Sequence, residues 1–166
     1  MPGSRDPARM PAGRVRRAEA RDLDGVVALW SAIAAHHAPL DPLFALRRDA
    51  EPELRALLAA LLRDPDAAIH VYASGRDIAG LCIVRIAHAP PILEETERAE
   101  ITDLGVREDW RRRGVGRRLV EAALEWLSLR GIARVEVRVA SRNPEGQAFW
   151  RALGWSDLMD VLQRRL

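Results

Sequence analysis

Five arginines and two glycines are crowded into eight consecutive positions of this chain: Arg111-Arg112-Arg113-Gly114-Val115-Gly116-Arg117-Arg118. They fall where the apolar period changes. Ile101, Leu104 and Val106 carry strand character, whereas Val115, Leu119, Ala122, Ala123, Trp126 and Leu127 recur at helical spacing. The arginines therefore occupy a loop and the first turn of a helix. Cations there oppose the partial positive charge of the helix N-terminus, at about 0.3–1 kcal/mol each. A bound phosphate removes the conflict: free N–H groups point at it, the dipole favours it, and the arginines neutralise it. Gly114 and Gly116 let the backbone approach such a ligand with no Cβ between. A solvated basic helix start is the competing reading.

Two familiar phosphate loops do not fit. A P-loop needs Gly-Lys-Ser/Thr, and all 26 basic residues here are arginine. A dinucleotide fingerprint needs a third small residue where Leu119 stands, and glycines directly after the strand, whereas residues 107–113 intervene. The run Arg111-x-x-Gly114-x-Gly116 does match the Arg/Gln-x-x-Gly-x-Gly/Ala motif of the GNAT superfamily of acyl-CoA-dependent N-acyltransferases, which this chain resembles. A second stretch, Asn143-Pro-Glu-Gly-Gln-Ala-Phe149-Trp150-Arg-Ala-Leu-Gly154-Trp155, is similar to that family's Asn…Phe-Tyr…Leu-Gly-Phe ending.

The resemblance implies a set of roles. The cosubstrate would be acetyl-CoA, with no metal. Its pyrophosphate would lie on the amides from Arg112 to Arg117, in the loop formed by Arg111, Arg112, Arg113, Gly114, Val115, Gly116 and Arg117. The pantetheine arm would pair with the backbone of Leu104 and Val106 as an extra strand. Asn143 would touch the coenzyme arm, or else serve as a cap before Pro144. Many members protonate the leaving thiolate with a tyrosine; Trp150 stands at that place, and indole is no usable acid.

Attack of an amine on a thioester also needs a base, and a carboxylate of raised pKa can serve. Glu100, which matches the position of a catalytic glutamate in some members of the family, is the preferred base, and Asp103 is the other candidate. Their strand parity is opposite, so a regular strand cannot aim both into one cleft. A bulge at Gly105 would come after both and leave this unchanged.

The elements that must hold these residues are legible from pattern. Residues 1–13 read as a Pro/Gly/Arg-rich tail and 14–166 as one domain. Strands are expected at 14–18, 69–73, 78–87, 98–106, 134–140 and 159–164; helices at 19–37, 52–63, 114–130 and 144–153. This is the β-α-α-β-β-β-α-β-α-β order of the GNAT fold. The expectation is an α/β (α+β) domain with a mixed, mostly antiparallel sheet of six to seven strands and about four helices, splayed between the strands at 98–106 and 134–140.

Composition bounds the rest. A net charge of +2 beside a pI near 9.4 reflects the absence of lysine, and does not itself argue for nucleic acid. The arginine run lacks interleaved aromatics, so no nucleic-acid partner is expected. Cys82 lies in an apolar run and reads as a buried thiol. No apolar run approaches membrane-span length and no signal-peptide core is seen, so the cytoplasm is the expected compartment. A homodimer stays open. The acceptor amine would be shaped by the loops at 36–44 and 89–97. Glu94, Glu95 and Glu97 would attract a cation such as an aminoglycoside, polyamine or peptide N-terminus, or are simply solvated. His36 and His37 read as surface or helix-end residues. A non-catalytic CoA-binding domain is the alternative function.

Overall fold

The computed structural model describes residues 12–164. Five strands and four helices follow in the order β1 (Arg14–Arg17), α1 (Leu23–His37), α2 (Glu51–Leu61), β2 (Ala67–Ser74), β3 (Asp77–His88), β4 (Glu97–Val106), α3 (Val115–Ser128), β5 (Val135–Val137) and α4 (Pro144–Ala152). The strands lie in the sheet in chain order; the first four are mutually antiparallel and β5 is parallel to β4.

Helices cover both faces, and that explains why β2 and β3 are apolar on both sides rather than alternating. One face carries α1 and α2, whose Val26, Val27, Leu54 and Leu58 pack on Ile69, Val71, Leu81 and Ile83. The other carries α3 and Trp150: Val115, Leu119, Ala123 and Leu127 cover Ala68, Cys82, Val84 and Ile101. The entry to α1 is fixed by charge. Asp22 accepts from the Glu19 N–H (2.8 Å) and from both arms of Arg16 (2.6 and 2.8 Å), tying the first helix to the first strand. The Arg16 guanidinium holds the Asp22 carboxyl below its ordinary pKa.

Three expectations change. The sheet has five strands among the described residues, not six to seven. Residues 159–164 form no strand, and Met159, Val161 and Leu162 are exposed. Apolar, β-prone residues make a strand only where a neighbour takes up their backbone groups, and none does here. The strand expected at 134–140 keeps only Val135–Val137, because β4 and β5 pair over residues 99–101 and 135–137 alone and then part. That parting is the splay. The tail expected at residues 1–13 lies almost wholly outside the described residues.

The third change concerns parity. Val84 faces Ile101 and Ile83 faces Asp103, so Thr102 is an extra residue, a bulge between Glu100 and Asp103. Arg85, opposite Glu100, and Ile83, opposite Asp103, are two residues apart on β3. Glu100 and Asp103 therefore share the α1 face, contrary to the regular-strand reading. Gly105 is no bulge. It is a close approach: a Cβ there would lie 2.0 Å from Cδ1 of Ile33 on α1.

Candidate functional site

A cleft of about 770 Å³ opens where β4 and β5 part. Its floor is the end of β4, one rim the 111–117 loop and the start of α3, the other rim the C-terminal half of α1 with the turn after it. All the expected coenzyme-side residues lie along it: Leu104, Val106, Arg111, Arg112, Gly114, Val115, Gly116, Arg117 and Asn143 line the cleft, and Arg113 completes the same loop.

The loop is built as a donor cradle. Among the described residues, no backbone N–H from residue 112 to 117 donates to a protein acceptor; the first bond of the α3 ladder is Arg118 N–H to Gly114 O, 3.1 Å. Gly114 caps α3 at φ 76° with no side-chain cap, and the first turn holds no acid. Arg112 also has a positive φ of 57°, uncommon for a residue with a side chain and a mark of backbone held for a purpose. A Cβ at Gly114 would meet no protein atom within 4 Å. The glycine is thus required by its dihedral angle and by the open space in front of it, not by packing. Gly116 is different: a Cβ there would press on the Phe149 ring at 3.3 Å. Among the described residues, Arg112, Arg113 and Arg117 have no ion-pair partner. Arg111 turns back instead, its Nε donating to the Val106 carbonyl (3.0 Å). Arg118 lies over the Tyr72 ring (5.7 Å), outside the cleft.

The two carboxylates on the α1 face of β4 have different surroundings. Asp103 lines the cleft, receiving hydrogen bonds from the Trp30 indole N–H (2.9 Å) and the Thr102 hydroxyl (2.8 Å). Burial pushes its pKa up, and the bonds from Thr102 and Trp30 offset part of that. Glu100 is not on the cleft wall; its Oε1 sits 3.4 Å from Arg138 Nε. Asn143 caps α4, its side-chain oxygen accepting from the Gly146 N–H (2.9 Å), and it also lines the cleft. Trp150 is wedged between Phe149 and Trp155, with ring centroids 5.3 and 4.8 Å away.

Cys82 is fully buried and its thiol is pushed up to about 12, chiefly by burial and then by Asp103, so it is not available as a nucleophile. No group of three or more His, Cys, Asp or Glu among the described residues is placed to hold a metal, and no helix among them is long and apolar enough to cross a membrane.

Sequence reasoning singled out none of four residues that line the cleft for the parts they take there. Trp30 reads as one more member of the apolar stripe of α1, yet its N–H holds the cleft carboxylate. The signal was available, since a half-buried indole N–H normally finds an acceptor. His36 and His37 read as surface residues and both line the cleft, with His37 Nδ1 2.8 Å from the Ile33 carbonyl. Thr102 gave no sign of being a bulge.

The fold has counterparts among known proteins. Residues 30–155 match the model of the acetyltransferase (GNAT) family. A mutant form of a Bacillus halodurans protein superposes with a TM-score of 0.81 at 22% identity, covering 92% of this chain and 99% of that one. An aminoglycoside N-acetyltransferase in complex with CoA superposes at 0.74 and 17% identity, with 93% and 95% covered. A predicted acetyltransferase with acetyl-CoA from Clostridium acetobutylicum gives 0.78 at 13% identity, with 93% and 96% covered. No curated protein matches the sequence. The chain belongs to the GNAT acetyltransferase family, and its fold is theirs.

Proposed function

We propose that this GNAT-family domain is an acetyl-CoA-dependent N-acetyltransferase of the cytoplasm, passing the acetyl group directly to a primary amine. The observation that carries the reading is the row of amides at residues 112–117, without an acceptor among the described residues, set at the N-terminus of α3 beside arginines that have no ion-pair partner among them. A diphosphate is the group such a cradle suits. The exposed edge of β4 past Ile101 suits an extended amide arm, bonding as a strand would. The Val106 carbonyl is shared with Arg111, so that arm competes with the arginine there or uses the second lone pair.

The amine nitrogen attacks the thioester carbonyl, the C–N bond forms, and the C–S bond breaks as the tetrahedral intermediate collapses. Asp103 takes the proton shed by the nitrogen. Its raised pKa makes it a better base than a solvated carboxylate, and Trp30 and Thr102 fix its orientation. Glu100, itself off the cleft wall and 3.4 Å from Arg138 Nε, steadies the β4–β5 junction in this reading. The thiolate leaves without an enzymic acid, since Trp150 offers only an indole N–H in an aromatic stack. Direct transfer is favoured over an acyl-enzyme because Cys82 is buried and protonated.

The Trp150 substitution is also the observation that favours a second reading, a domain that binds CoA without turning it over. Thiol release from acetyl-CoA in the presence of amines separates the two. Wild-type release that falls about 10²-fold or more in Asp103→Asn, with the acetyl-CoA melting shift retained, supports the enzyme and the base assignment. Binding without release from any amine supports the second reading.

A further inference from the structure

The acceptor half of the cleft differs in character from the coenzyme half. Its wall is made by Trp30, Ile33 and Ala34 of α1 and by Leu43, Phe44 and Leu46 of the turn that follows. Leu43 is 78% exposed and Leu46 46% exposed, so apolar surface stands open at this rim. The turn that presents it is built. Asp41 accepts from the Leu43 N–H through its side chain (2.8 Å) and from the Phe44 N–H through its carbonyl (3.1 Å), and the Phe44 ring rests 5.7 Å from His37.

Negative charge is sparse on this side. Asp103 is the carboxylate facing the apolar wall, and Glu145 at the start of α4 is the other acid on the cleft. The acidic loop that reads as a cation attractor is engaged elsewhere: Glu95 binds Arg134 and Glu97 lies 3.4 Å from His88 Nδ1, while neither they nor Glu94 line the cleft. Arg111, Arg112, Arg117 and Arg138 do line it. With the arginines of the 111–117 loop facing the diphosphate, a polycation entering here would find one carboxylate on this wall and leave its other ammonium groups unpaired. Each charge desolvated without a partner is costly.

We infer that the acceptor is a monoamine on an apolar, aromatic-sized body, its nitrogen placed at Asp103 and its body lying on Trp30, Ile33, Leu43, Phe44 and Leu46, and that polyamines and aminoglycosides are poor acceptors. This rests on the acetyltransferase reading of the cleft. It also sets the chain apart from the aminoglycoside N-acetyltransferase whose fold it shares.

The test measures kcat/KM by thiol release from acetyl-CoA with 2-phenylethylamine, ethanolamine, spermidine and sisomicin, alongside the melting shift given by acetyl-CoA alone. Phenylethylamine should exceed each of the others by about tenfold or more, the scale on which a hydrophobic pocket discriminates. Leu43→Glu with Leu46→Glu, both at exposed positions, should lower the phenylethylamine-to-spermidine ratio about tenfold and leave the acetyl-CoA shift unchanged. Spermidine or sisomicin matching phenylethylamine, an unchanged ratio in the double variant, or no turnover of any amine would overturn the inference while a retained acetyl-CoA shift leaves the coenzyme site standing. Loss of that shift in the wild-type protein would remove both.

Discussion

Replacing Gly114 by valine separates the proposed coenzyme cradle from the fold. The added side chain meets no protein atom at its Cβ, so the cost to folding comes from the backbone alone. Holding a residue with a side chain at φ 76° costs about 1–2 kcal/mol. For a domain of this size that lowers the melting temperature by roughly 2–8 °C. The loss of ligand is the larger effect. Acetyl-CoA at a hundred times its dissociation constant stabilises the native state by about 2.7 kcal/mol, or roughly 5–11 °C. The valine side chain projects into the space a diphosphate would occupy, so Gly114→Val should unfold cooperatively a few degrees early and show no shift with acetyl-CoA. Thermal melts of wild type, Gly114→Ala and Gly114→Val, each with and without acetyl-CoA, make the measurement; the alanine variant carries the same backbone strain with less bulk. A valine variant that keeps the full wild-type shift would refute the assignment of this loop to the diphosphate.

Three further outcomes follow from other parts of the molecule. Trp30→Phe removes a hydrogen bond that lowers the Asp103 pKa, so the acid limb of the kcat/KM profile should move to higher pH, with the acetyl-CoA shift unaltered; an unmoved limb would remove Asp103 as the titrating base. His70 is buried with its pKa lowered from 6.5 to about 4, mainly by burial and then by Arg17. Between those values the unfolded chain holds a proton that the native state lacks, so stability rises with pH across that window and is lost on acidification, by on the order of 3 kcal/mol. Denaturant melts of wild type and His70→Leu from pH 4 to 7 should show the slope flatten in the variant; the Asp22–Arg16 pair, whose carboxyl pKa is lowered, acts in the range below 3.8 and does not mask it. Gly105→Ala places a methyl 2.0 Å from Ile33 Cδ1 and should cost about 1–3 kcal/mol; Ile33→Val in the same chain should recover part of it, and strictly additive losses would contradict the contact.

The loop proposed to hold the coenzyme was legible as a strand–loop–helix junction because its signals are local. A glycine that needs φ 76°, arginines where a helix start repels them, and a change of period from two to 3.6 all lie within twenty residues, and the backbone there obeys its own sequence. The element order was legible for the same reason, since the apolar period of each segment is a property of the chain. The rest of the cleft was legible only in part, through the 36–44 loop, whose His36, His37, Leu43 and Phe44 line it, whereas no residue of the 89–97 loop does. That Asp103 shares the α1 face with Glu100 depends on the Thr102 bulge, which arises from the pairing of β4 with β3, and that Asp103 alone of the two lines the cleft depends on where β4 and β5 part. That Trp30 holds Asp103 is a contact across 73 positions of chain. The stretch at 159–164 has strand-forming residues but no neighbour to pair with. Periodicity and dihedral preference belong to the chain itself; register, burial and the company a carboxylate keeps exist only once distant segments meet.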